Sequence, residues 1–188
     1  MEASTLLRIQ ARANRLANLR LHRAMAPLSP AELQAPRVGF FPSLMATLNH
    51  ILAVDLYYVG ALHGETDGAE AWQRFVPAHE LAQLAQRQRD CDERLIAFCD
   101  ALDDAGCARG VAMPRDAGHV QRDAAAHVLQ HLFMHQTHHR GQAHAMLSGT
   151  IVAPPQLDEF LMPSDAALRR ADMEDLGWDE AEVYGSRP

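Results

Sequence analysis

The sequence contains no lysine, because all 17 of its basic residues are arginine. This absence excludes enzymes that form a Schiff base on lysine, attachment of pyridoxal phosphate, and the phosphate-binding loop that ends in a lysine. Cysteine is also scarce, and Cys91, Cys99 and Cys107 form no Cys-x-x-Cys pair. We therefore interpret all three as reduced, buried thiols that bind no metal.

The sequence also lacks long apolar runs and an excess of positive charge. No segment approaches the ~20 apolar residues of a membrane helix, and the N-terminus has no secretion signal. We therefore expect a cytoplasmic protein without a membrane partner. The formal net charge of −7 argues against nucleic-acid binding, because that affinity comes from neutralising phosphates. A chain of 188 residues is expected to form a single domain over residues 1–188.

Four segments carry apolar residues at spacings of three and four, which predicts four long helices. They run from Ser4 to Met25, from Ser43 to Leu62, from about His79 to Leu102, and from about Asp123 to Ser148. The second segment is apolar nearly all round its axis, as expected of a helix buried among others. We therefore predict an all-α helical bundle over about residues 4–149.

Two smaller features are predicted on either side of the fourth helix. The stretch from Val111 to Arg122 has extended pieces around Asp116-Ala117-Gly118, which predicts a small β-hairpin before that helix. After the helix, a tail over residues 150–188 contains a short helix near Ser164 to Asp175. The apolar residues of the tail predict that it packs on the bundle or on a partner subunit, and we expect a homodimer.

The fourth predicted helix carries four histidines spaced by four residues: His127, His131, His135 and His139. Residues at this spacing project from one face of a helix, and two neutral imidazoles placed so are suited to share a metal ion. Each step of four advances about 40° around the helix, so only adjacent histidines can share one ion. Spacing therefore leaves the choice of pair open and requires a third ligand from elsewhere.

His50 is the candidate for that third ligand. It lies in Leu48-Asn49-His50-Ile51, inside a strongly apolar stretch of the second helix. An imidazole without a partner there would lose hydrogen bonds worth roughly 1–3 kcal/mol. A hydrogen bond to a backbone carbonyl or a neighbouring side chain would satisfy it as well as an ion. The histidines of another helix facing the same core favour coordination.

These motifs together resemble those of the DinB-like superfamily, the damage-inducible four-helix proteins. The resemblance is carried by Leu-Asn-His-Ile at residues 48–51 and by His-Gln-Thr-His-His-Arg-Gly-Gln-Ala-His at residues 135–144. Ala-Asn-Leu-Arg-Leu at residues 17–21 is similar to a Trp-Ala-Asn-x-Arg-Leu element of that family, with Leu16 in place of the tryptophan. The resemblance covers nearly the whole chain and implies a four-helix bundle.

The resemblance also implies a metal site and a class of function. In the superfamily one histidine of the second helix and two of the later His-x-x-x-His motif hold one divalent ion, and these map onto His50, His135 and His139. Such ligands suit zinc, nickel, iron or manganese and leave coordination positions open. Since related members include hydrolases and thiol-dependent transferases, we expect a metal-dependent enzyme with a small-molecule substrate. No catalytic residue is assigned beyond the ligands.

Two other functions remain open from the sequence. A stress-induced protein can use the ion to lock its bundle or to sequester the metal, so that the ligands serve stability alone. A histidine-rich helix can also form a dimer interface without metal. Neighbouring residues stay without a fixed role: His131 and His138 fit either support of the ligands or the surface, and Gln142 can bond a ligand or bound water. Arg140 fits an ordinary ion pair or an anionic substrate.

Overall fold

The computed structural model describes residues 2–65, 67–115 and 119–185. In chain order its elements are α1 (Ala3–Met25), α2 (Pro30–Gln34), α3 (Leu44–Leu62), α4 (Gly68–Gln73), α5 (Leu81–Asp100), α6 (Asp104–Cys107), β1 (Gly110–Pro114), β2 (Val120–Ala124), α7 (Ala125–Leu147), α8 (Ala166–Leu176) and α9 (Glu180–Tyr184). Helices α1 and α3 each pack on both α5 and α7, which makes a bundle of four long helices. The predicted all-α fold is confirmed.

The ends of the long helices follow from local chemistry. Ser43 precedes α3, and its side-chain oxygen accepts a hydrogen bond from the Ala46 N–H, which satisfies one of the free donors of the first turn. Helix α7 begins at Ala125, slightly later than predicted, because Asp123 and Ala124 belong to β2 and pair there with Val111 and Gly110. The apolar spacing that predicted this helix therefore extended into β2, which pairs with β1 instead of joining the helix.

The predicted hairpin is present as an antiparallel pair of strands, with Gly110 opposite Ala124 and Pro114 opposite Val120. The predicted turn at residues 116–118 lies outside the described residues. The Tyr57 hydroxyl on α3 donates a hydrogen bond of 2.6 Å to the Pro114 carbonyl. This bond fixes the end of β1 against α3.

Helix α4 was not predicted, because the loop between the second and third long helices gave no helical periodicity over so few residues. It starts tightly against α3, since a Cβ on Gly68 would lie 3.0 Å from Cε2 of Tyr57. Its Trp72 ring then lies 6.3 Å from the Tyr57 ring, at nearly a right angle. This short helix therefore places the Trp72 ring beside Tyr57 of α3.

Cys91, Cys99 and Cys107 are buried and unpaired. Burial raises the pKa of the Cys99 thiol to about 12, which keeps it protonated and unreactive. Among the helices of the described residues, none combines the length and the apolarity required to cross a bilayer.

The C-terminal segment lies against α1 in the described residues. Phe160 and Met173 share a small buried cluster with Leu16 and Ala17 of α1. Arg20 of α1 also donates hydrogen bonds to carboxylates of this segment, at 2.9 Å from Nε to Asp172 Oδ2 and 2.8 Å from Nη1 to Glu159 Oε2. The segment is therefore held by both apolar contacts and ion pairs.

Arg169 holds the parts of this segment together, and its side chain is fully buried. Its guanidinium donates to both carboxylate oxygens of Glu180 and to the carbonyls of Glu159 and Met162, at 3.2 and 2.9 Å. Its Cζ lies 4.0 Å from the centroid of the Tyr184 ring. One side chain therefore joins α8 to α9 and to the loop that precedes α8.

We expect Arg169→Met to loosen the C-terminal segment, because it leaves the Glu180 carboxylate and two carbonyls without their donor. The expected loss is about 1.5–3 kcal/mol of unfolding free energy. Limited proteolysis should also cut the segment faster than in the wild type. Arg170, the next residue, is exposed, so Arg170→Met serves as the control and should change stability by less than about 0.5 kcal/mol. Equal effects of the two substitutions would contradict this interpretation.

Candidate metal centre

The structure brings together His50 from α3 and His135 and His139 from α7. One ring nitrogen of each lies within 4.8 Å of the other two. The Nε2 atoms of His50 and His135 are 3.0 Å apart. Metal–nitrogen bonds of about 2.0–2.1 Å separate neighbouring ligands by about 3.4 Å in a tetrahedron and about 2.9 Å in an octahedron. The spacing of this pair therefore fits shared coordination, and the donor set suits a divalent ion.

Burial keeps the three imidazoles neutral. Burial, together with the surrounding imidazoles, lowers the pKa of His135 to about 3. Burial also lowers the pKa of His50, with a contribution from His139. For His139, burial lowers the pKa, although its hydrogen bond to Gln142 acts in the opposite direction. Neutral imidazole is the form that binds a metal, so no proton has to be removed at neutral pH.

Gln142 orients the ring of His139. Its side-chain oxygen lies 2.7 Å from Nδ1 of His139. Because an amide oxygen can only accept, Nδ1 must carry the proton, and Nε2 is left with the lone pair that a metal requires. The amide nitrogen of Gln142 lies 3.1 Å from Nε2 of His138, to which it donates. His138 is exposed, and it supports the site through Gln142 and through its own ring, whose centroid lies 4.9 Å from that of His139.

His135 is oriented differently from His139. Its Nδ1 is buried and has no hydrogen-bond partner among the described residues. The ring packs against His50 and His139, with centroid distances of 5.0 and 4.4 Å. The position of the His135 ring is therefore set by these neighbours rather than by an acceptor.

Phe41 covers one side of the three histidines. Its ring centroid lies 4.4 Å from that of His50 and 5.6 Å from that of His139. The loop that carries it is closed by a hydrogen bond of 2.8 Å from the Arg37 N–H to the Pro42 carbonyl. Sequence reasoning missed Phe41, because a loop residue has no periodicity that connects it to a helix. It gives the site an apolar boundary on this side.

A buried polar network joins the four long helices behind the histidines. Its members are all buried: Asn14, Asn18, Asp55, Gln88, Asp92, Gln136 and Arg140. Three pairs of them are spaced by four residues within one helix, which places both members of each pair on the same inner face. The sequence shows these pairs, and it shows Asp55 as the one acidic residue of α3. Sequence reasoning missed both signals.

Two carboxylates organise this network. Asp55 Oδ2 accepts hydrogen bonds from the side-chain amides of Gln88, at 2.7 Å, and Gln136, at 2.8 Å. Asp92 accepts from the amides of Asn18, at 3.0 Å, and Gln88, at 3.1 Å. Gln88 therefore links the two carboxylates, and the network extends from α1 through α5 and α3 to α7.

Arg140 supplies the buried positive charge of the network. Its Nη1 donates to the side-chain oxygens of Asn14 and Asn18. Burial lowers its pKa to about 10, opposed by the negative charges of Asp55 and Asp92. The guanidinium is therefore charged at neutral pH and lies inside the protein, where its hydrogen bonds go to two neutral side chains.

The network also positions the histidines of α7. Gln136 and Arg140 directly follow His135 and His139 in the chain. Neighbouring residues of a helix point about 100° apart, so anchoring one pair in the core fixes the direction of the other. The bonds of Gln136 and Arg140 therefore turn His135 and His139 towards α3 and His50.

Asp55 should make stability depend on pH. Burial raises its pKa to about 7, the charge of Asp92 acts in the same direction, and the amides of Gln136 and Gln88 oppose the rise together with Arg140. A folded-state pKa above the unfolded value of about 3.9 means that the stability contribution is complete below about pH 4 and is lost as pH rises through about 7.

We therefore expect Asp55→Asn to flatten the fall of unfolding free energy between about pH 5 and pH 7, by at most about 1.4 kcal/mol per pH unit. Urea unfolding at several pH values measures this slope. Asp90 is exposed on α5, and Asp90→Asn is the matched control that should keep the wild-type slope. An unchanged slope in Asp55→Asn would show that Asp55 is not the group responsible.

Other histidines of α7 lie outside the group of three. His127 and His131 are both exposed. The His131 ring lies 5.1 Å from the Tyr58 ring and 6.4 Å from the His135 ring. Of the pairs that spacing left open, only His135 and His139 come together with His50 among the described residues.

Two cavities open beside the candidate ligands. One has a volume of about 250 Å³ and is lined by His135 together with His131 and the aromatic residues Tyr57, Tyr58 and Trp72. The other has a volume of about 470 Å³ and is lined by His50 and, again, Trp72. A small molecule can therefore approach His50 and His135 from solvent.

Comparison with known proteins identifies the relationship of the chain. The model of the DinB family matches residues 1–173. A search of curated proteins gives no match.

Proposed function

The chain belongs to the DinB family, and on this premise we propose that it is a metal-dependent enzyme that acts on a small molecule by thiol transfer or hydrolysis. The observation that carries the proposal is the group formed by His50, His135 and His139, with cavities beside it. The proposal includes a cytoplasmic homodimer, and zinc, nickel, iron or manganese as the ion, since imidazole ligands suit all four.

The number of ligands and their access favour catalysis. Closed structural zinc sites use four protein ligands, whereas catalytic sites keep a position for water or substrate. The described residues offer three imidazoles, and cavities reach both His50 and His135. An ion held there would supply Lewis acidity, which lowers the pKa of a coordinated thiol or water.

The protein residues around the ligands contribute orientation and exclusion of water. Gln142 holds the proton of His139 at Nδ1 and so leaves the lone pair on Nε2. Phe41 covers the rings of His50 and His139. Beyond the three ligands no side chain is assigned to the reaction itself.

A structural role for the ion is the second candidate, and one observation favours it. The ligands come from two different helices, α3 and α7, so an ion would link these helices. The ligands would then serve stability without turnover. A metal-free dimer interface built from these histidines is less favoured, because their rings face one another within one chain.

Activity of reloaded protein separates these functions. Protein without a histidine tag is stripped with a chelator, reloaded with each of the four ions, and assayed for conjugation of cysteine to 1-chloro-2,4-dinitrobenzene and for hydrolysis of p-nitrophenyl acetate. We expect turnover with one ion at least about a hundredfold above that of His135→Ala. His127→Ala, exposed on the same helix, should keep wild-type turnover. Loaded wild type that turns over neither compound, yet is stabilised by the ion, would support the structural role.

A further inference from the structure

Arg115 is the cationic residue of the cavity that His135 lines. The cavity of about 250 Å³ is bounded by Val54, Tyr57, Tyr58, Trp72, Pro114, Arg115, His131 and His135. None of these lining residues is acidic. Its volume lies below the ~300–1,000 Å³ usual for drug-sized ligands, so its ligand must be small.

Tyrosine rings and one amide hold the guanidinium of Arg115. Its Cζ lies 5.1 Å from the Tyr57 ring and 5.8 Å from the Tyr58 ring. Its Nη2 donates to the Gln121 side-chain oxygen at 3.1 Å and to the Tyr58 hydroxyl at 3.4 Å. Asp123 is bonded to Gln121 and not to the arginine. Arg115 forms no ion pair within the described ranges, so its charge is available to a ligand.

The neighbouring cavity shows the contrast. That cavity, of about 560 Å³, is lined by Arg74, Arg87 and Arg94, of which Arg87 donates to the Val76 carbonyl at 2.7 Å. Arg74 pairs with Asp67 at 3.1 Å, and Arg94 pairs with Glu65 at 2.5 Å. In a chain with more acidic than basic residues, an arginine that lines a cavity without such a partner suits an anion.

Aromatic rings connect Arg115 to the candidate metal ligands. The Tyr57 ring lies 6.3 Å from Trp72 and 5.1 Å from Tyr58. The Tyr58 ring lies 5.1 Å from His131, which in turn precedes His135 by one helical turn. A flat apolar body therefore finds ring faces and edges along the cavity.

We propose that this cavity binds a small aromatic carboxylate, with the carboxylate on Arg115, the ring among Trp72, Tyr57 and Tyr58, and the opposite end towards His135. This substrate class rests on the proposed function, because the reacting end is placed at the candidate metal centre. Arg115 is then a specificity-determining residue, because its guanidinium binds the negative charge of the substrate. The hairpin supplies it, since Arg115 directly follows β1.

Trp72 reports binding directly. The chain has two tryptophans, so Trp178→Phe leaves Trp72 as the single indole fluorophore. Zinc-loaded full-length protein with this substitution is titrated with benzoate and phenylacetate, and with the neutral amides benzamide and phenylacetamide. We expect at least one carboxylate to change the Trp72 emission saturably, and its amide to bind at least about tenfold more weakly.

Arginine variants assign the binding to Arg115. Arg115→Gln should weaken carboxylate binding at least about tenfold, and Arg115→Lys, which keeps the charge, should weaken it less. Arg87→Gln is the matched control, because Arg87 also lies over an aromatic ring, at 5.0 Å from Phe75, and should bind as the wild type does. Circular dichroism confirms that each variant is folded.

Three results would overturn the proposal: no saturable binding of either carboxylate, equal binding of acid and amide, or unchanged binding in Arg115→Gln. The metal content of the same samples distinguishes this inference from the proposed function. Carboxylate binding through Arg115 in a protein that takes up no metal would contradict the proposed function but not this inference. A metal-loaded, active protein that binds no carboxylate would contradict this inference but not the proposed function.

Discussion

Replacing Arg140 with methionine is expected to lower the free energy of unfolding by about 3–5 kcal/mol. Arg140 is buried, and its guanidinium bonds the side chains of Asn14 and Asn18. Its charge offsets those of the buried carboxylates Asp55 and Asp92. Methionine has a similar length but neither the charge nor the donors, so these groups would remain buried without compensation.

Urea unfolding measures this loss directly. Arg94→Met is the control, because Arg94 forms an exposed ion pair with Glu65, and such pairs contribute about 0–1 kcal/mol. Adding Asp92→Asn to Arg140→Met should recover part of the stability, since it removes one uncompensated charge. A loss below about 1 kcal/mol in Arg140→Met would mean that the network does not depend on its arginine.

A divalent ion is expected to stabilise the protein by about 4 kcal/mol when its free concentration is about a thousandfold above the dissociation constant. The ion would bind the folded state, in which α3 and α7 bring His50, His135 and His139 together. The unfolded chain separates His50 from the other two by more than eighty residues. The preference for the folded state is the source of the stabilisation.

Thermal unfolding of stripped and reloaded protein measures this effect. His135→Ala should remove most of the stabilisation, because His135 is close to both other ligands. His127→Ala should keep it, since His127 is exposed and lies outside the group. An ion that stabilises His135→Ala as much as the wild type would have to bind elsewhere.

The bundle was predictable because its signal is local. Apolar spacing marked all four long helices, and the predicted start at Ser43 lies one residue before α3, where Ser43 caps the helix. Helix α4 was not predicted, because six residues are too few to show an apolar period. This helix packs instead against Tyr57, a contact that the sequence does not reveal. The start of α7 was placed early, because Asp123 pairs with Val111 of a separate strand.

The candidate site was predictable in part. The spacing of His135 and His139 indicated a shared face, but His131 and His135 have the same spacing. Only the packing of α3 against α7 places His50 beside one pair, and a single sequence contains no such distance. The ligand set therefore came from resemblance to a family, and the structure shows that these three side chains are close together.

The supporting residues could not be predicted for the same reason. Phe41 reaches the histidines from a loop, and Arg140 reaches α1 across the core. Their roles depend on contacts between distant parts of the chain. For Arg115, the sequence shows a charged residue after a strand, whereas the structure shows its position in a cavity beside His135.

The most direct test of the central claim is the metal content of protein without a histidine tag, measured by plasma mass spectrometry. A centre formed by His50, His135 and His139 predicts about one divalent ion per chain in the wild type and in His127→Ala. Alanine at any of the three ligands should reduce this to less than about a tenth. A wild type that takes up no ion after reconstitution, or alanine variants that retain it, would contradict the claim.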